Sequence, residues 1–397
     1  MRVLFTSWAW PTHYHHMVPL AWALRAAGHD VRAAVPPSLT GVVAASGIPA
    51  VAVGHDGVDA VARIRDYIPG RVPAPAAPAT GARGPRAVSL FADLAAAMAD
   101  DLVAFGRQWR PDLVVHEPTA YAGPLAAAVL GVPAARFPWG ADLMYHAAAV
   151  DLEREVMAPL CERFGLPGVD LLGDLTIDAC PTAMQVPAGR PVERLPVRYV
   201  PYNGAGTLPV PLPPAERARP RVCVTWGTTV GRLDEEMFLL PRVVEALDPL
   251  DVGIVVAVAR EQRRLLGTLP DRVKVMESVP LHAVLPHCDA VVGHGGAGTL
   301  LTGLACGLPQ LVVPQLVDHT FNARQFAATG AGTVLDKDTA REAPEALRAA
   351  VQDLIDTPSY AKAAREVRAE IAARPAPADL VGPLVRRAGL DAAEGAR

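Results

Sequence analysis

Lysine is almost missing from this 397-residue chain: it stands only at Lys274, Lys337 and Lys362, and arginine supplies the rest of the positive charge. The 37 Lys and Arg residues are outnumbered by 41 Asp and Glu, and the net charge is −4, so there is no basic stripe with which to hold a nucleic acid. Cysteine is scarce as well. Cys161, Cys180, Cys223, Cys288 and Cys306 form no C-x-x-C pair, and an odd count without metal spacing points to reduced thiols in a cytoplasmic protein. No apolar run reaches the roughly 18 residues of a membrane span. The opening Met1-Arg2-Val3-Leu4-Phe5 passes straight into a strand-like segment, too short for a signal peptide. The expectation is a soluble protein with neither a membrane nor a nucleic-acid partner. What is abundant is Ala, Gly and Pro, the mark of a GC-rich genome. A hydrophobic fraction of 51% and a charged fraction of 20% suit well-packed cores, and the length suits two domains.

The chain begins β-loop-α-β, the start of an open parallel sheet: Val3–Thr6 reads as a strand, Val18–Ala27 as a helix stopped by Gly28, and Val31–Val35 as a second strand. The loop Ser7–Met17 carries Trp8, Trp10, His13, Tyr14, His15 and His16, and loops at strand carboxyl ends form the ligand crevice of such sheets. Residues 69–86 have no periodicity and read as a surface loop, a candidate lid. Helical spacing returns over Ser89–Arg107. A strand at Leu113–Val115 ends at His116 and Glu117, a helix at Ala122–Leu130 stops at Gly131, and a strand at Ala134–Phe137 opens a loop, Pro138–Tyr145, with Trp139 and Asp142. Asp151–Gly165 is helical again. The proline-rich stretch 201–220 reads as an interdomain linker between residues 1–200 and 221–374, with 375–397 returning to the first domain. Beyond it the expected elements are strands at Val222–Thr225, Val252–Val258, Val273–Met276, Ala290–Gly293, Gln310–Val313 and Thr333–Leu335. Helices are expected near Asp234–Leu247, Leu300–Cys306, Thr320–Thr329 and Pro344–Arg374. Two α/β domains joined by such a seam imply a cleft.

The most informative stretch is His294-Gly295-Gly296-Ala297-Gly298-Thr299. A buried strand that turns through glycines into a helix leaves first-turn N–H groups unpaired at the positive end of the helix dipole, a site suited to an anion. Gly293, Gly295 and Gly298 also satisfy the dinucleotide fingerprint, and glycines alone are weak evidence. His294 at the mouth and the Thr299 hydroxyl turn the pocket toward a diphosphate, against the plainer alternative of a tight turn with a buried histidine.

At this point the residues resemble a known family, the nucleotide-sugar-dependent glycosyltransferases of the GT-B fold, in particular the actinomycete-type enzymes that glycosylate polyketide, macrolide and aromatic natural products. The likeness is carried by Val18-Pro19-Leu20-Ala21-Trp22-Ala23-Leu24 leading to Ala27-Gly28-His29, and by Arg110-Pro111-Asp112-Leu113-Val114-Val115. It continues through Val200-Pro201-Tyr202-Asn203-Gly204, Val279-Pro280-Leu281, His294–Thr299, and Pro314-Gln315 through Asp318 to Asn322. It implies an α/β GT-B fold of two Rossmann-like domains with parallel sheets facing across a deep cleft, the first binding the acceptor and the second the donor. It also implies that His294, Gly296, Gly298 and Thr299 cradle the diphosphate and that Val279 contacts the base. Thr228 and Thr229 would face the nucleotide, and Gln315, Asp318 and His319 would touch sugar hydroxyls. Many relatives stack an aromatic on the base before Val279; here Ser278 stands there, with Trp226 the substitute to consider against its packing in the core.

For catalysis the resemblance points to His13, fifteen residues before Gly28, with Glu117 where many relatives have an orienting aspartate. A neutral imidazole can take a proton from an acceptor hydroxyl at working pH. His15 and His16 are rival bases, and Trp8, Trp10, Tyr14, His16 and Trp139 are the expected acceptor-binding residues. Asp142 is a base for attack by an aromatic carbon, an acceptor-positioning group, or a helix cap. The implied reaction is inverting transfer of a deoxysugar from a TDP- or UDP-sugar co-substrate to a natural-product aglycone in antibiotic biosynthesis, with no other cofactor. No D-x-D pair stands where a metal would bridge the diphosphate, so no metal is expected. A C-glycosyltransferase, a non-catalytic auxiliary protein, a dinucleotide oxidoreductase and a sugar-nucleotide epimerase are the alternatives. Asp318 falls 20 residues after Gly298 as the oxidoreductase requires, but the first strand-to-helix loop has no glycine. The sequence leaves a homodimer and a helper protein open.

Overall fold

The computed structural model describes residues 1–66, 84–146, 150–186, 192–208 and 219–390. The candidate lid lies largely outside them, as does the middle of the proline-rich seam. The chain forms two compact units, Met1–Ala179 with Pro187–Arg198 and Arg374–Arg397, and Cys180–Val186 with Tyr199–Ala373.

The first unit is built on seven strands: β1 (Arg2–Thr6), β2 (Asp30–Val35), β3 (Ala50–Ala52), β4 (Leu113–His116), β5 (Ala134–Arg136), β6 (Leu175–Asp178) and β7 (Arg194–Pro196). All pair in parallel in the order β3-β2-β1-β4-β5-β6-β7. Val3, Leu4, Phe5, Val114 and Val115 are wholly buried, because helices cover both faces of a parallel sheet and strands such as these need no polar side. The second unit has six strands: β8 (Arg221–Thr225), β9 (Gly253–Val258), β10 (Lys274–Glu277), β11 (Ala290–Gly293), β12 (Gln310–Val312) and β13 (Gly332–Val334). Their order is β10-β9-β8-β11-β12-β13, again all parallel. In each sheet the order reverses at one place, between β1 and β4 and between β8 and β11. Just outside the carboxyl ends of such strands the connecting loops part and leave room for a ligand.

The expected α/β fold class is therefore observed, with local corrections. The loop after β1 contains a one-turn helix, Pro11–His15, because Pro11 presets the helical φ and has no N–H to leave unpaired. Leu143–His146 is likewise helical. The single helix expected at 234–247 is two pieces, a 3-10 turn Glu235–Met237 capped by the Asp234 side chain and Leu240–Leu247 starting beside Pro241, with a further short helix, Val230–Leu233, before them. Residues 344–374 form two helices, Pro344–Asp356 and Pro358–Ala373, each opened by its proline. The strands β3, β6 and β7 were not anticipated; β6 is only four residues, Leu175-Thr176-Ile177-Asp178, with Thr176 bonded to Arg136 and Asp178 to Arg194.

After Pro358–Ala373 the chain joins the first unit. The Arg198 N–H donates to the Pro375 carbonyl at 2.7 Å, the turn Pro377–Leu380 packs on the helix Val18–Ala26, and an Arg387 guanidinium nitrogen donates to the Asp174 carbonyl at 3.0 Å. In the second unit Thr182 donates from its amide (2.8 Å) and hydroxyl (2.9 Å) to the Glu370 carboxylate, which is why Cys180–Val186 groups there. Among the described residues no helix is long and apolar enough to cross a membrane.

Gly54 has φ +70°, and a Cβ there would lie 2.1 Å from the Ala97 carbonyl oxygen in the helix Gly84–Trp109. Backbone cannot yield as a side-chain tip does, so Gly54→Ala is expected to cost about 2–4 kcal/mol from strain and overpacking together. Urea unfolding checks this; a midpoint unchanged from the native protein would refute the close approach.

Candidate active site

In the first unit the reversal point brings the loop after β1 to the loop after β4. His13 Nδ1 lies 3.4 Å from Glu117 Oε2, and Glu117 is fully buried. A buried carboxylate must be compensated, and the Thr119 amide donates to it at 2.8 Å while the Thr119 hydroxyl donates at 2.8 and 3.0 Å. Trp8 Nε1 donates to the same hydroxyl at 2.8 Å, so the threonine links indole and carboxylate. His13 Nδ1 thus faces both the carboxylate and the Thr119 hydroxyl, 3.4 Å from each, and turns Nε2 away from them.

The His13 ring stacks on Trp139 with centroids 3.9 Å apart and planes 14° apart, and meets Trp8 edge-on at 5.4 Å. Trp8 and Trp10 are buried against each other and around His13. Of the expected acceptor residues, Tyr14 requires correction. It is buried, and its hydroxyl is bonded to Ser46 Oγ at 2.8 Å, so it is turned into the interior by the one-turn helix. His16 is also held by structure: its Nε2 donates to the Phe137 carbonyl at 2.6 Å, fixing the strand-to-loop exit that carries Trp139. Burial pushes the His15 imidazolium down to about 4 and that of His16 to about 3, which makes both weaker bases than an ordinary histidine.

Asp142 is corrected more firmly. Arg136, itself buried, donates from Nη1 to Oδ1 at 3.1 Å and from Nη2 to Oδ2, and Arg194 Nη2 stands 3.4 Å from Oδ2. Both oxygens of this carboxylate are thus occupied by guanidinium groups, and removing it would strand buried charge. The cluster fastens the 137–142 loop to β5 and β7 and thereby holds Trp139 in place.

In the second unit the reversal point joins Gly227-Thr228-Thr229, after β8, to His294–Thr299, after β11. Gly296 is the N-cap of the helix Ala297–Cys306 and offers no side-chain cap. Thr299 and Leu300 N–H groups return to the Gly296 carbonyl at 3.0 and 3.1 Å, whereas the amides of Gly296, Ala297 and Gly298 have no backbone acceptor among the described residues. His294 is 4% exposed, and its ring edge is bared by glycine on two sides. A Cβ at Gly227 would lie 2.7 Å from its Nε2, and one at Gly296 would lie 2.6 Å away. Burial, reinforced by the neighbouring His319, holds the His294 imidazolium well below its ordinary range. Burial thus favours the neutral, hydrogen-bonding form of the ring.

His319 packs edge-on against His294 at 4.7 Å and is 3.7 Å from the carboxylate of the half-buried Asp318, both on the first turn of the helix Val317–Ala327. Gln315 is buried, its Nε2 donating to the Val313 carbonyl at 3.0 Å and its Oε1 unpartnered among the described residues. Thr228 is exposed and Thr229 half-buried, beside the cradle. Trp226 is no base-stacking group: it is fully buried, with Nε1 donating to the Met237 carbonyl at 2.9 Å. Val279 is half-buried in the turn after β10, next to Ser278 at φ +52°. Among the described residues no group of three or more His, Cys, Asp or Glu is placed to hold a metal ion.

Two all-parallel α/β sheets, with His13 at the reversal point of the first and the His294–Thr299 turn at that of the second, have the arrangement of a GT-B glycosyltransferase. Comparison with known proteins narrows this. Residues 22–227 and 241–386 match the N- and C-terminal domains of "Erythromycin biosynthesis protein CIII-like". The chain belongs to that family, and it is a glycosyltransferase. It is 38% identical to the 10-deoxymethynolide desosaminyltransferase of Streptomyces venezuelae, over 98% of this chain and 97% of that protein. It is 37% identical to the aklavinone 7-beta-L-rhodosaminyltransferase of Streptomyces galilaeus, over 97% and 95%. Among solved structures, the spinosyn rhamnosyltransferase SpnG complexed with thymidine diphosphate superposes with a TM-score of 0.84 at 32% identity, over 97% of this chain and 100% of that one.

Buried neutral histidines also set a pH dependence. His116, 1% exposed beneath this site, is pushed down to about 3 by burial, as His16 is. The unfolded chain takes up protons near pH 6.5, the ordinary histidine value, and the folded chain does not, so stability falls as pH drops through 6.5 toward 3. At pH 5 the loss from His116 is on the order of 2 kcal/mol. Urea midpoints compared at pH 7.5 and 5 are expected to fall steeply for the native protein and less steeply for His116→Gln; parallel slopes would contradict the assignment.

Proposed function

We propose that this glycosyltransferase moves a deoxysugar from a thymidine diphosphate donor to a hydroxyl of a polyketide or aromatic aglycone, with inversion at the anomeric carbon. In this reading the second unit holds the donor. The Gly296, Ala297 and Gly298 amides, the Thr299 hydroxyl and the bared edge of His294 receive the diphosphate, at the end of a helix whose dipole favours negative charge. Thr228 and Thr229 flank the nucleotide, Val279 meets the base, and Gln315, Asp318 and His319 meet the sugar. The thymidine preference is drawn from the relatives, of which SpnG was solved with thymidine diphosphate.

The first unit supplies the base. His13 Nε2 takes the acceptor proton and Glu117 holds the resulting imidazolium. The acceptor oxygen then forms its bond to the anomeric carbon as the bond from that carbon to the diphosphate oxygen breaks on the opposite face. The leaving group departs as a nucleoside diphosphate whose added charge is met by His294 and the helix amides, with no metal ion in the step. Trp139, at the edge of the base, borders the acceptor. The single observation that carries the reading is the His13–Glu117 pair, with Nδ1 3.4 Å from the carboxylate. Attack by carbon with Asp142 as base is not favoured, because Arg136 and Arg194 occupy that carboxylate.

His13→Ala is expected to lower turnover at least about a hundredfold while leaving TDP affinity within twofold, and His294→Ala to weaken TDP binding about tenfold or more. A chelator is expected to leave the rate unchanged. Product formation from TDP-deoxysugars and a panel of aglycones, with calorimetric titration of TDP, checks all three. Native turnover in His13→Ala would discard the base.

A further inference from the structure

The segment Tyr199–Gly206 contains a motif, Tyr202-Asn203-Gly204, to which no role has yet been given. It crosses two parts of the donor half-site that lie far apart in sequence. Asn203 Oδ1 accepts from the His282 amide at 3.0 Å and lies 3.1 Å from His282 Nδ1, which ties it to the turn carrying Val279. Its Nδ2 donates to Thr302 Oγ1 at 3.1 Å. Thr302 is fully buried one turn into the helix Ala297–Cys306, and its hydroxyl donates at 2.6 Å to the carbonyl of Gly298, a residue of the anion cradle. The Tyr199 hydroxyl closes the same cluster, 3.3 Å from Thr302 Oγ1 and 3.4 Å from the Gly298 carbonyl. At the far end Gly206 passes so close that a Cβ would lie 2.6 Å from both the Ser278 carbonyl oxygen and Pro280 Cδ.

One amide side chain therefore fastens the base-contacting turn to the phosphate-binding helix. A nucleoside diphosphate is a rigid ruler: base and phosphates sit at a set separation, and a site that must first find that separation loses affinity to ordering. We infer that Asn203 is a positioning residue that fixes the spacing between nucleobase turn and diphosphate cradle, touching neither reacting atom nor ligand. Its planar amide suits the task because it accepts and donates at once. Aspartate could still accept from His282 but could not donate to a threonine hydroxyl that already gives its proton to Gly298.

The inference rests on the donor site proposed above, and the test separates the two. TDP, thymidine and inorganic pyrophosphate are titrated, by calorimetry for TDP and ligand-observed NMR for the fragments, into the native full chain, Asn203→Ala and Thr302→Val. The expected result is TDP binding weakened about tenfold in Asn203→Ala, with thymidine and pyrophosphate each within twofold of native, since each half-site survives and only their spacing is lost. Adding Thr302→Val to Asn203→Ala should weaken TDP binding by less than the product of the two single effects. Should Asn203→Ala fail to fold, Asn203→Asp takes its place with a loss of threefold or more. Native TDP affinity in the Asn203 variant, or all three ligands weakened in proportion, would overturn the inference while leaving the donor site standing. Failure of the native chain to bind TDP would overturn both.

Discussion

The chemistry of the second unit turns on one imidazole edge. His294 follows a buried strand into a helix with no side-chain cap, and two glycines, Gly227 and Gly296, stand where any other residue would press a methyl carbon against its Nε2. The arrangement leaves a hydrogen-bonding nitrogen beside amides that lack backbone partners, in a place where burial keeps the ring uncharged. In the proposed donor site these groups would meet a diphosphate without rearrangement. Preorganised donors of this kind act most strongly where water is excluded. The elements around them hold that geometry: β8 and β11 adjoin at the reversal point of the sheet, and Asn203 ties the helix to the turn after β10.

The first unit uses the same topological device for the opposite end of the reaction. Its reversal point lies between β1 and β4, so His13 and Glu117 meet although 104 positions separate them in sequence. The proposed base is then boxed in. Thr119 saturates the carboxylate, Trp139 lies flat on the imidazole, and the loop that carries Trp139 is pinned through Asp142 to Arg136 and Arg194. Three histidines close in sequence, His13, His15 and His16, are given different environments: His13 lies against the Glu117 carboxylate, while burial pushes the other two down.

Much of this was legible in the sequence, for stateable reasons. Continuous apolar runs punctuated by glycine, such as Ala290–Gly293 before His294, mark buried parallel strands, and the order of elements then dictates which loops share a sheet edge. The fold class and the loops that carry His13, Glu117 and His294 follow from that. Side-chain direction does not. Tyr14 and Trp8 belong to an aromatic-rich loop, but a one-turn helix begun by Pro11 rotates Tyr14 onto Ser46, 32 positions away. Asp142 looks like a candidate base until Arg194 arrives from β7, 52 positions on, in a strand with no apolar alternation. Asn203 was visible as part of a motif and silent as to role, because its partners His282 and Thr302 lie 79 and 99 positions downstream. What periodicity encodes is which face of an element is apolar; which polar groups meet across the interior is encoded in pairs that no local window contains.

The most direct test of the account is to watch the His294 ring itself. With imidazole nitrogens labelled, the ring is expected to give the signals of a neutral histidine at pH 7, and TDP is expected to shift its Nε2 resonance together with the Ala297 and Gly298 amides, at one common saturation point. A His294 signal indifferent to TDP, while resonances elsewhere in the chain respond, would contradict it.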